Sequence, residues 1–286
     1  VERIAREEGL PSASLLIGGD HLGPLTWAGL PADTAMENAR RLVSDCVLAG
    51  YIKIHLDTSM RLGGDDPYGR LPDGIIAQRG ASLCAAAERA FAEYRRKCPT
   101  AAEPVYVIGS EVPVPGGALQ NESEVAVTSA DDCKNTLDEF HAAFEKADLH
   151  HAWKRVVAIV VQPGVEFADE SVVEYHREPA QQLVGMLDSV DNLVFEGHST
   201  DYQPAERLRE MVEDGICILK VGPALTYGLR EGLFALECIE RELTPLYGFQ
   251  LSGLRKNIDR AMLEKPAQWE RYYHGTEEQM ALARSF

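Results

Sequence analysis

Six short apolar segments, each followed at once by glycine or polar residues and then by a helical pattern, limit the fold more than any other feature of this sequence. The most apolar is Val156–Val161, which runs directly into Gln162, Pro163 and Gly164. The other five segments are residues 15–17, 51–56, 105–108, 193–195 and 216–221. Strands that are buried on both faces of a parallel sheet read as continuous apolar runs, and helices join such strands. The repeated pattern therefore predicts an α/β fold with a parallel sheet.

The stretches between these runs carry helical periodicity, with apolar residues at steps of three and four. We predict helices at residues 31–49, 73–97, 129–147, 180–187, 204–213 and 227–241. Asp73 is the expected N-cap of the second helix, and Ser129 or Asp131 that of the third. Gly50 and Gly215 are the expected stop signals of the first and fifth helices.

The residues that end the predicted strands distinguish between two parallel architectures. In a TIM (β/α)8-type barrel all carboxyl ends meet at one mouth, whereas an open doubly wound sheet needs functional residues only near its switch point. Because all six runs end in polar or glycine residues, the barrel is favoured and the open sheet is the alternative. Six βα units are recognisable, and we expect the N-terminal two to precede Val1. We predict that residues 1–251 form this incomplete barrel and that residues 252–286 begin a helical C-terminal extension.

The composition argues against several classes of protein. With 286 residues and a formal net charge of −17, the chain lacks the basic surface that nucleic acids and anionic membranes attract. No apolar run approaches the roughly 20 residues that span a bilayer. The six cysteines show neither zinc-finger spacing nor a compact disulfide pattern, so we expect a cytoplasmic protein with free thiols. The glycine pairs lack the G-x-x-x-x-G-K-S/T pattern, and we predict no nucleotide cofactor.

Histidines and carboxylates follow several of the predicted strands and would meet at the mouth of a barrel. Imidazole nitrogens and carboxylate oxygens together suit Zn²⁺ or another divalent metal. We predict His21, Glu111, Glu166 and His198 as metal ligands, and Asp20 and Glu111 as catalytic residues. A single residue of this kind more often caps a helix or hydrogen-bonds a loop, so the hypothesis depends on their joint placement.

Small and hydroxyl-bearing residues follow the last two strands. In barrels these loops often bind phosphate through backbone N–H groups and a helix N-terminus. The candidate substrate- or phosphate-binding residues, here and after earlier strands, are Asp57, Ser59, Gln162, Ser199, Thr200, Lys220, Gly222 and Thr226. The alternative is that the glycines only permit tight turns.

Six long motifs occur in order along the chain. They are Gly-Gly-Asp-His-Leu-Gly-Pro at 18–24, Lys-Ile-His-Leu-Asp at 53–57, Glu-Val-Pro-Val-Pro-Gly-Gly at 111–117, Gln-Pro-Gly-Val-Glu-Phe at 162–167, Gly-His-Ser-Thr-Asp-Tyr-Gln at 197–203 and Leu-Lys-Val-Gly-Pro-Ala-Leu-Thr at 219–226. Together they closely resemble the GatZ/KbaZ family, the non-catalytic subunit of class II D-tagatose-1,6-bisphosphate aldolase. The resemblance implies a TIM-like barrel that supports a zinc-dependent catalytic subunit in an oligomer. It also implies a role in galactitol or N-acetylgalactosamine catabolism through tagatose 6-phosphate.

The sequence is also similar to the catalytic class II aldolases. Their Asp-His pair, in which Asp transfers a proton and His binds zinc, matches Asp20 and His21, and their final zinc histidine matches His198. Where these enzymes place another zinc histidine, this chain reads Gln-Pro-Gly-Val-Glu, so a third imidazole is expected to be missing. Glu111 or Glu166 would then complete a weaker His/carboxylate site.

Three functions follow from these observations. The first is a partner protein that supports the aldolase catalytic subunit. The second is an enzyme in its own right, a metal-dependent ketose or ketose-phosphate aldolase or 4-epimerase. The third is a tagatose 6-phosphate kinase, as members of this family are sometimes labelled, although no nucleotide motif supports it.

Overall fold

The protein is described by a computed structural model that covers residues 1–68, 71–109, 125–168 and 171–285. The strands of the described residues are β1 (Gly18–Leu22), β2 (Lys53–Leu56), β3 (Val105–Ile108), β4 (Val156–Val161), β5 (Glu166–Phe167), β6 (Val172–Val173), β7 (Val194–Gly197) and β8 (Ile216–Leu219). The main sheet contains six of them, all parallel, in the order β1-β2-β3-β4-β7-β8, and β5 and β6 form a separate antiparallel pair. The sheet is a curled parallel half-barrel, which confirms the predicted TIM-type fold.

Helices follow the strands of the main sheet along the chain. They are α1 (Glu2–Glu7), α2 (Ala32–Leu48), α3 (Asp73–Lys97), α4 (Ala130–Lys146), α5 (His150–Trp153), α6 (Arg177–Gly185), α7 (Ala205–Glu213), α8 (Pro223–Tyr247), α9 (Leu254–Glu264) and α10 (Glu277–Ser285). The predicted helix over 73–97 has these bounds, but its N-cap is Pro72 rather than Asp73. Ser129 caps α4, where its hydroxyl accepts a hydrogen bond from the Asp132 backbone N–H.

The two faces of the sheet carry different side chains. Ile54, Ile159 and Phe195 point toward the helices and belong to the main hydrophobic core. On the opposite, inner face, Val107 and Val160 form a smaller apolar cluster. Because side chains alternate along a strand, Lys53, His55, Glu196 and Lys220 fall on this inner face or at its rim. The curvature of the sheet therefore collects polar residues from β1, β2, β7 and β8 on one side.

The first strand lies later in the chain than predicted. The apolar run at 15–17 precedes it, and the strand itself is Gly18–Leu22. Glycines are uncommon in strands, but here they allow close approach: a Cβ on Gly18 would lie 2.8 Å from Lys53 Cβ, and one on Gly23 would lie 1.6 Å from Asp57 O. Asp20 and His21 are consequently part of the strand rather than of the loop after it. His21 adopts a positive φ of 51°, at an irregularity in the pairing with β2.

The C-terminal helices pack against α8. The Arg255 guanidinium lies 4.2 Å from the centroid of the Phe234 ring, and it is also 3.3 Å from the Glu237 carboxylate. The domain boundary between residues 251 and 252 falls between α8 and α9 and stays a prediction. Among the described residues, no helix is both long enough and apolar enough to cross a membrane.

Close packing between α3 and α4 gives a test of the fold. A Cβ at Gly80 would lie 2.5 Å from Phe140 Cε1, so Gly80→Ala forces a buried ring to move. Overpacking costs about 1–3 kcal/mol and outweighs the helix-propensity gain of about 1 kcal/mol, so we expect net destabilisation in urea unfolding. Gly74→Ala, in the same helix, meets only the end of the Glu139 side chain and serves as the control. Equal stability of the two variants would contradict this packing.

Candidate active site

Three imidazoles from distant parts of the chain converge at the carboxyl end of the sheet. His21 lies on β1, His55 on β2 and His198 directly after β7. Their ring centroids are 5.2 Å (His21–His55), 5.3 Å (His21–His198) and 5.7 Å (His55–His198) apart. His55 lies within a strand and was not among the predicted site residues. The motif pattern of the catalytic aldolases does not point to His55, because the third zinc histidine of those enzymes follows a different strand.

Glu196 joins two of these imidazoles into a group that could hold a metal. Ligand atoms of His55, Glu196 and His198 all lie within 4.8 Å of one another, and all three residues are buried. Glu196 Oε1 is 3.1 Å from His198 Nε2 and 3.9 Å from His55 Nδ1. His55 Nε2 is buried without a hydrogen-bond partner in the described part of the chain. An imidazole, carboxylate and imidazole set with an unsatisfied nitrogen fits Zn²⁺ or a similar ion.

The charge states of this group suit metal binding. Burial lowers the pKa of His55 to about 3, against the opposing pull of Glu196 and Asp57. The imidazole is consequently neutral at pH 7, the form that binds metals. Burial raises the pKa of Glu196, but the His198 hydrogen bond and the charge and hydrogen bond of Lys53 outweigh it and lower that pKa to about 2.

A hydrogen-bonded chain of Asp57, His21 and Lys220 lies beside this group. Asp57 Oδ2 is 2.7 Å from His21 Nδ1, and Lys220 Nζ is 2.7 Å from His21 Nε2. A carboxylate only accepts and an ammonium only donates, so the imidazole carries its proton on Nδ1 and accepts at Nε2. Asp57 is held in turn by Ser59, whose hydroxyl donates to Asp57 Oδ1 at 2.8 Å. Both ring nitrogens of His21 are thus engaged, and it does not belong to the metal group.

Lys53 connects the catalytic candidate Asp20 to the metal group. Its Nζ lies 2.5 Å from Asp20 Oδ1 and 2.7 Å from Glu196 Oε2. Burial lowers the pKa of Lys53, but the two carboxylates outweigh it and raise that pKa. Burial also lowers the pKa of Lys220, and together with the nearby Lys53 charge it outweighs the opposing effect of Asp20 and Glu196. The two lysines therefore differ: Lys53 is a paired cation, and Lys220 is the amine that loses its proton more readily.

The loops after β7 and β8 bond mainly to each other. Thr200 Oγ1 donates to Lys220 O at 2.9 Å. Asp201 Oδ1 accepts from the backbone N–H groups of Gly222 (2.8 Å) and Ala224 (2.9 Å) at the start of α8. The backbone donors predicted to bind phosphate at Gly222 thus have an internal carboxylate as their partner.

The remaining predicted site residues are placed as follows. Gln162 Oε1 accepts from the N–H groups of Gly164 and Val165, which closes its own loop. Glu166 is buried on β5, accepts from the Phe167 N–H at 2.9 Å, and is not part of the His55, Glu196 and His198 group. Ser199 is half-buried with a φ of 55°, Thr226 is exposed on α8, and Glu111 lies outside the described residues.

Sequence reasoning missed Lys53, His55, Glu196 and Asp201. The first two did carry a signal, because they alternate with Ile52, Ile54 and Leu56, and a polar set on one face of a buried strand is unusual. Glu196 directly follows the apolar run 193–195, and a carboxylate there gives no signal of its own. The role of Asp201 depends on a loop contact across 21 positions, for which the local sequence gives no signal.

The sequence matches the family described as D-tagatose-1,6-bisphosphate aldolase subunit GatZ/KbaZ-like over residues 1–286. The chain belongs to this GatZ/KbaZ-like family. A similar solved structure is that of a probable tagatose 6 phosphate kinase from Sinorhizobium meliloti 1021, with 41% identity and a TM-score of 0.83. The match covers 100% of this chain and 66% of that one, so the chain spans about two thirds of the length of this relative.

Two further solved structures are only weakly similar to this GatZ/KbaZ-like protein. A Rubisco-like protein from Rhodopseudomonas palustris has 14% identity and a TM-score of 0.30, over 67% of this chain and 44% of that one. The homocysteine methyltransferase MmuM from Escherichia coli has 13% identity and a TM-score of 0.34, over 75% and 93% respectively. Neither carries an argument about fold or function.

The low pKa of His55 predicts how stability changes with pH. In the unfolded chain His55 has a pKa of 6.5, so below pH 6.5 the unfolded chain binds a proton that the folded protein excludes until about pH 3. The free energy of unfolding therefore falls as the pH falls from 6.5 to about 3. From pH 7 to 5 in EDTA we expect a loss of about 2 kcal/mol from this group alone. The pKa of His198 is shifted in the same direction and adds to the loss.

Urea unfolding at both pH values measures this effect. His55→Gln removes the group and should flatten the dependence, whereas His141→Gln, at an exposed helical position, should retain it. The same change between pH 7 and 5 in His55→Gln and in wild type would refute the assignment.

Proposed function

We propose that this protein is an aldolase-related subunit with a metal-dependent centre of its own, which performs retro-aldol chemistry on a ketose or its phosphate, as cleavage or 4-epimerisation. The single observation that carries the proposal is the buried group of His55, Glu196 and His198 beside the chain of Asp57, His21 and Lys220. Family membership supplies the sugar class.

The residues that would hold a divalent metal are His55, Glu196 and His198. When bound there, such an ion supplies a Lewis acid that polarises a ketose carbonyl and stabilises an enediolate. Glu196 suits this position because its two oxygens have separate partners: Oε1 faces the imidazoles and Oε2 faces Lys53. Lys53 would therefore hold the carboxylate in place from the far side, as supporting residues do around metal ligands.

Proton transfer is assigned to the neighbouring chain of side chains. Retro-aldol cleavage requires a base that removes a proton from the substrate hydroxyl next to the breaking carbon–carbon bond. Lys220 Nζ can release its own proton to His21 Nε2 and take one from such a hydroxyl. Asp57 stabilises the imidazolium that forms, and its pKa of about 2 keeps it ionised, since the His21 hydrogen bond and nearby charge outweigh its burial. Asp20, paired with Lys53 at the rim, is the second acid–base candidate.

A supporting role for a separate catalytic subunit is the second candidate. It is favoured by the contact of Lys53 with Glu196 at 2.7 Å, because an ammonium that neutralises this carboxylate without any metal can serve a purely structural purpose. This candidate includes assembly with a catalytic subunit into an oligomer, a place in galactitol or N-acetylgalactosamine catabolism, and a cytoplasmic location. The assembly and the pathway rest on family membership alone, and the location rests on the cysteine pattern. The kinase candidate has the label of the Sinorhizobium meliloti relative in its favour but no nucleotide motif.

Metal analysis combined with turnover separates the two candidates. We expect bound divalent metal in the purified protein, and turnover of D-tagatose or its phosphates without any added subunit. His55→Ala and His198→Ala should each lower metal affinity by more than about 100-fold, a larger loss than removal of a supporting residue causes. His150→Ala, at an exposed position outside the site, is the control.

The opposite result would identify a supporting subunit. If the metal content is unchanged in His55→Ala and His198→Ala, and if turnover appears only with a catalytic subunit, the metal-dependent centre is refuted. Loss of turnover on addition of EDTA and recovery with Zn²⁺ or Mn²⁺ would support it further.

A further inference from the structure

Three aromatic side chains lie beside one another at the carboxyl edge of the sheet. The centroid of the Tyr202 ring is 5.5 Å from that of Phe167 and 6.0 Å from that of Tyr227, and both contacts are edge-to-face. Phe167 comes after β4, Tyr202 after β7 and Tyr227 after β8, and these three strands are neighbours in the sheet. The aromatic cluster therefore lies at the same edge as His198.

The backbone holds Tyr202 in a conformation that a bulky residue rarely adopts. Its φ is 62°, in the left-handed region. Both neighbours of Tyr202 are buried and anchored: Asp201 accepts a hydrogen bond from the Gly222 N–H at 2.8 Å. Gln203 accepts one from the Tyr175 N–H at 3.0 Å. Tyr202 between them is 40% exposed. Backbone strain of this kind persists only where the surroundings impose it, and it is frequent at ligand-binding sites.

The phenol hydroxyls of this region are available to a ligand. In the part of the chain that the structure describes, those of Tyr202, Tyr227 and Tyr273 make no hydrogen bond with another protein group. Burial raises the pKa of Tyr202, and the charges of Asp201 and of the other two phenols raise it further, so its hydroxyl is protonated at pH 7 and can donate. The effect of Tyr273 on this pKa places a third phenol nearby, from the segment between α9 and α10. Three separate elements thus bring hydroxyls to one surface.

Such a surface matches one side of a sugar. A sugar has apolar C–H groups on its faces and hydroxyls around its edge, and a tyrosine offers an apolar ring with a polar tip. A fully buried aromatic side chain contributes at most about 250 Å². The partly exposed Tyr202 and Tyr227 offer less, whereas a stable protein interface takes about 800 Å² on each partner. The surface would contact the carbon chain and the hydroxyls, which a ketose and its phosphate ester share.

The loop after β7 connects this surface to the acid–base groups. Thr200, two positions before Tyr202, donates through its hydroxyl to Lys220 O at 2.9 Å. Lys220 Nζ in turn lies 2.7 Å from His21 Nε2. His198, four positions before Tyr202, belongs to the group that could hold a metal. The backbone at Tyr202 is therefore fixed relative to the groups that would carry out the reaction.

We propose that Tyr202, together with Tyr227, forms a binding surface for the carbon chain of a ketose or ketose phosphate at the mouth. This inference deepens the proposed function and rests on it for the sugar class. Binding to the surface can be measured without turnover, so the two proposals can fail separately.

Saturation-transfer NMR titrations of the purified protein with D-tagatose and with D-tagatose 6-phosphate test the surface. Tyr202→Asn removes the ring and keeps a residue that tolerates positive φ, and we expect it to weaken the binding of both sugars about tenfold. Tyr202→Phe keeps the ring and loses the hydroxyl, and we expect a loss of about threefold. Tyr247→Asn, an exposed tyrosine at the other end of α8, should leave the affinity unchanged.

The following outcomes contradict the proposal. Equal affinity of wild type and Tyr202→Asn for both sugars overturns it, as does a wild type that binds neither sugar. A loss confined to the phosphate ester also overturns it, because the surface would then bind the phosphate group. If Tyr202→Asn does not fold, the double variant Tyr202→Phe with Tyr227→Phe removes both hydroxyls and keeps both rings, and its unchanged affinity would overturn the proposal.

Steady-state kinetics separate this inference from the proposed function. Tyr202→Asn should raise KM about tenfold and change kcat by less than about twofold, because a contact made equally in the ground state and the transition state alters KM alone. An unchanged KM overturns the inference. If neither sugar is turned over, the proposed function fails, whereas the titrations still decide the role of Tyr202.

Discussion

A fully buried carboxylate, that of Glu196, is the group on which the arrangement of the site depends. A charge removed from water is very costly unless opposite charges and hydrogen bonds compensate for it. Glu196 meets this requirement with Lys53 on one oxygen and with His198 and His55 near the other. Lys53 in turn fixes Asp20 at the rim. The ionisable groups at the mouth therefore form one coupled set, in which each charge is tolerated because of its neighbours.

Close contact between the first two strands makes this coupling possible. Gly18 and Gly23 leave no room for side chains against Lys53 and Asp57, so β1 lies directly against β2 and the segment that follows it. His21 is thereby brought to Asp57 on one side and to Lys220, directly after β8, on the other. A curled sheet allows this second contact, because strands that are far apart in sheet order then face one another across the inner side.

The two parts of the mouth have different chemical characters. The part built from β1, β2 and β7 combines neutral imidazoles, carboxylates and lysines, which suits metal and proton chemistry. The part built from the loops after β7 and β8 is closed by internal hydrogen bonds through Asp201 and Thr200. Lys220 joins the two parts, because its carbonyl oxygen accepts from Thr200 and its Nζ lies against His21.

The sequence by itself determined the parallel α/β architecture, the bounds of β4 and α3, and the placement of His21, Asp57 and His198 at the carboxyl end of the sheet. Apolar runs and helical periodicity are local properties, and strand-end residues must gather wherever parallel strands close into a barrel. Only the tertiary structure decided the composition of the site. His55 and Glu196 lie inside strands and become a pair across the sheet, and the donors of the Gly222 turn are taken by Asp201. Lys220 and His21 are 199 positions apart, and only the closure of the sheet brings them into contact. Pairings of this kind depend on which strands face each other, and no local pattern in the chain encodes that.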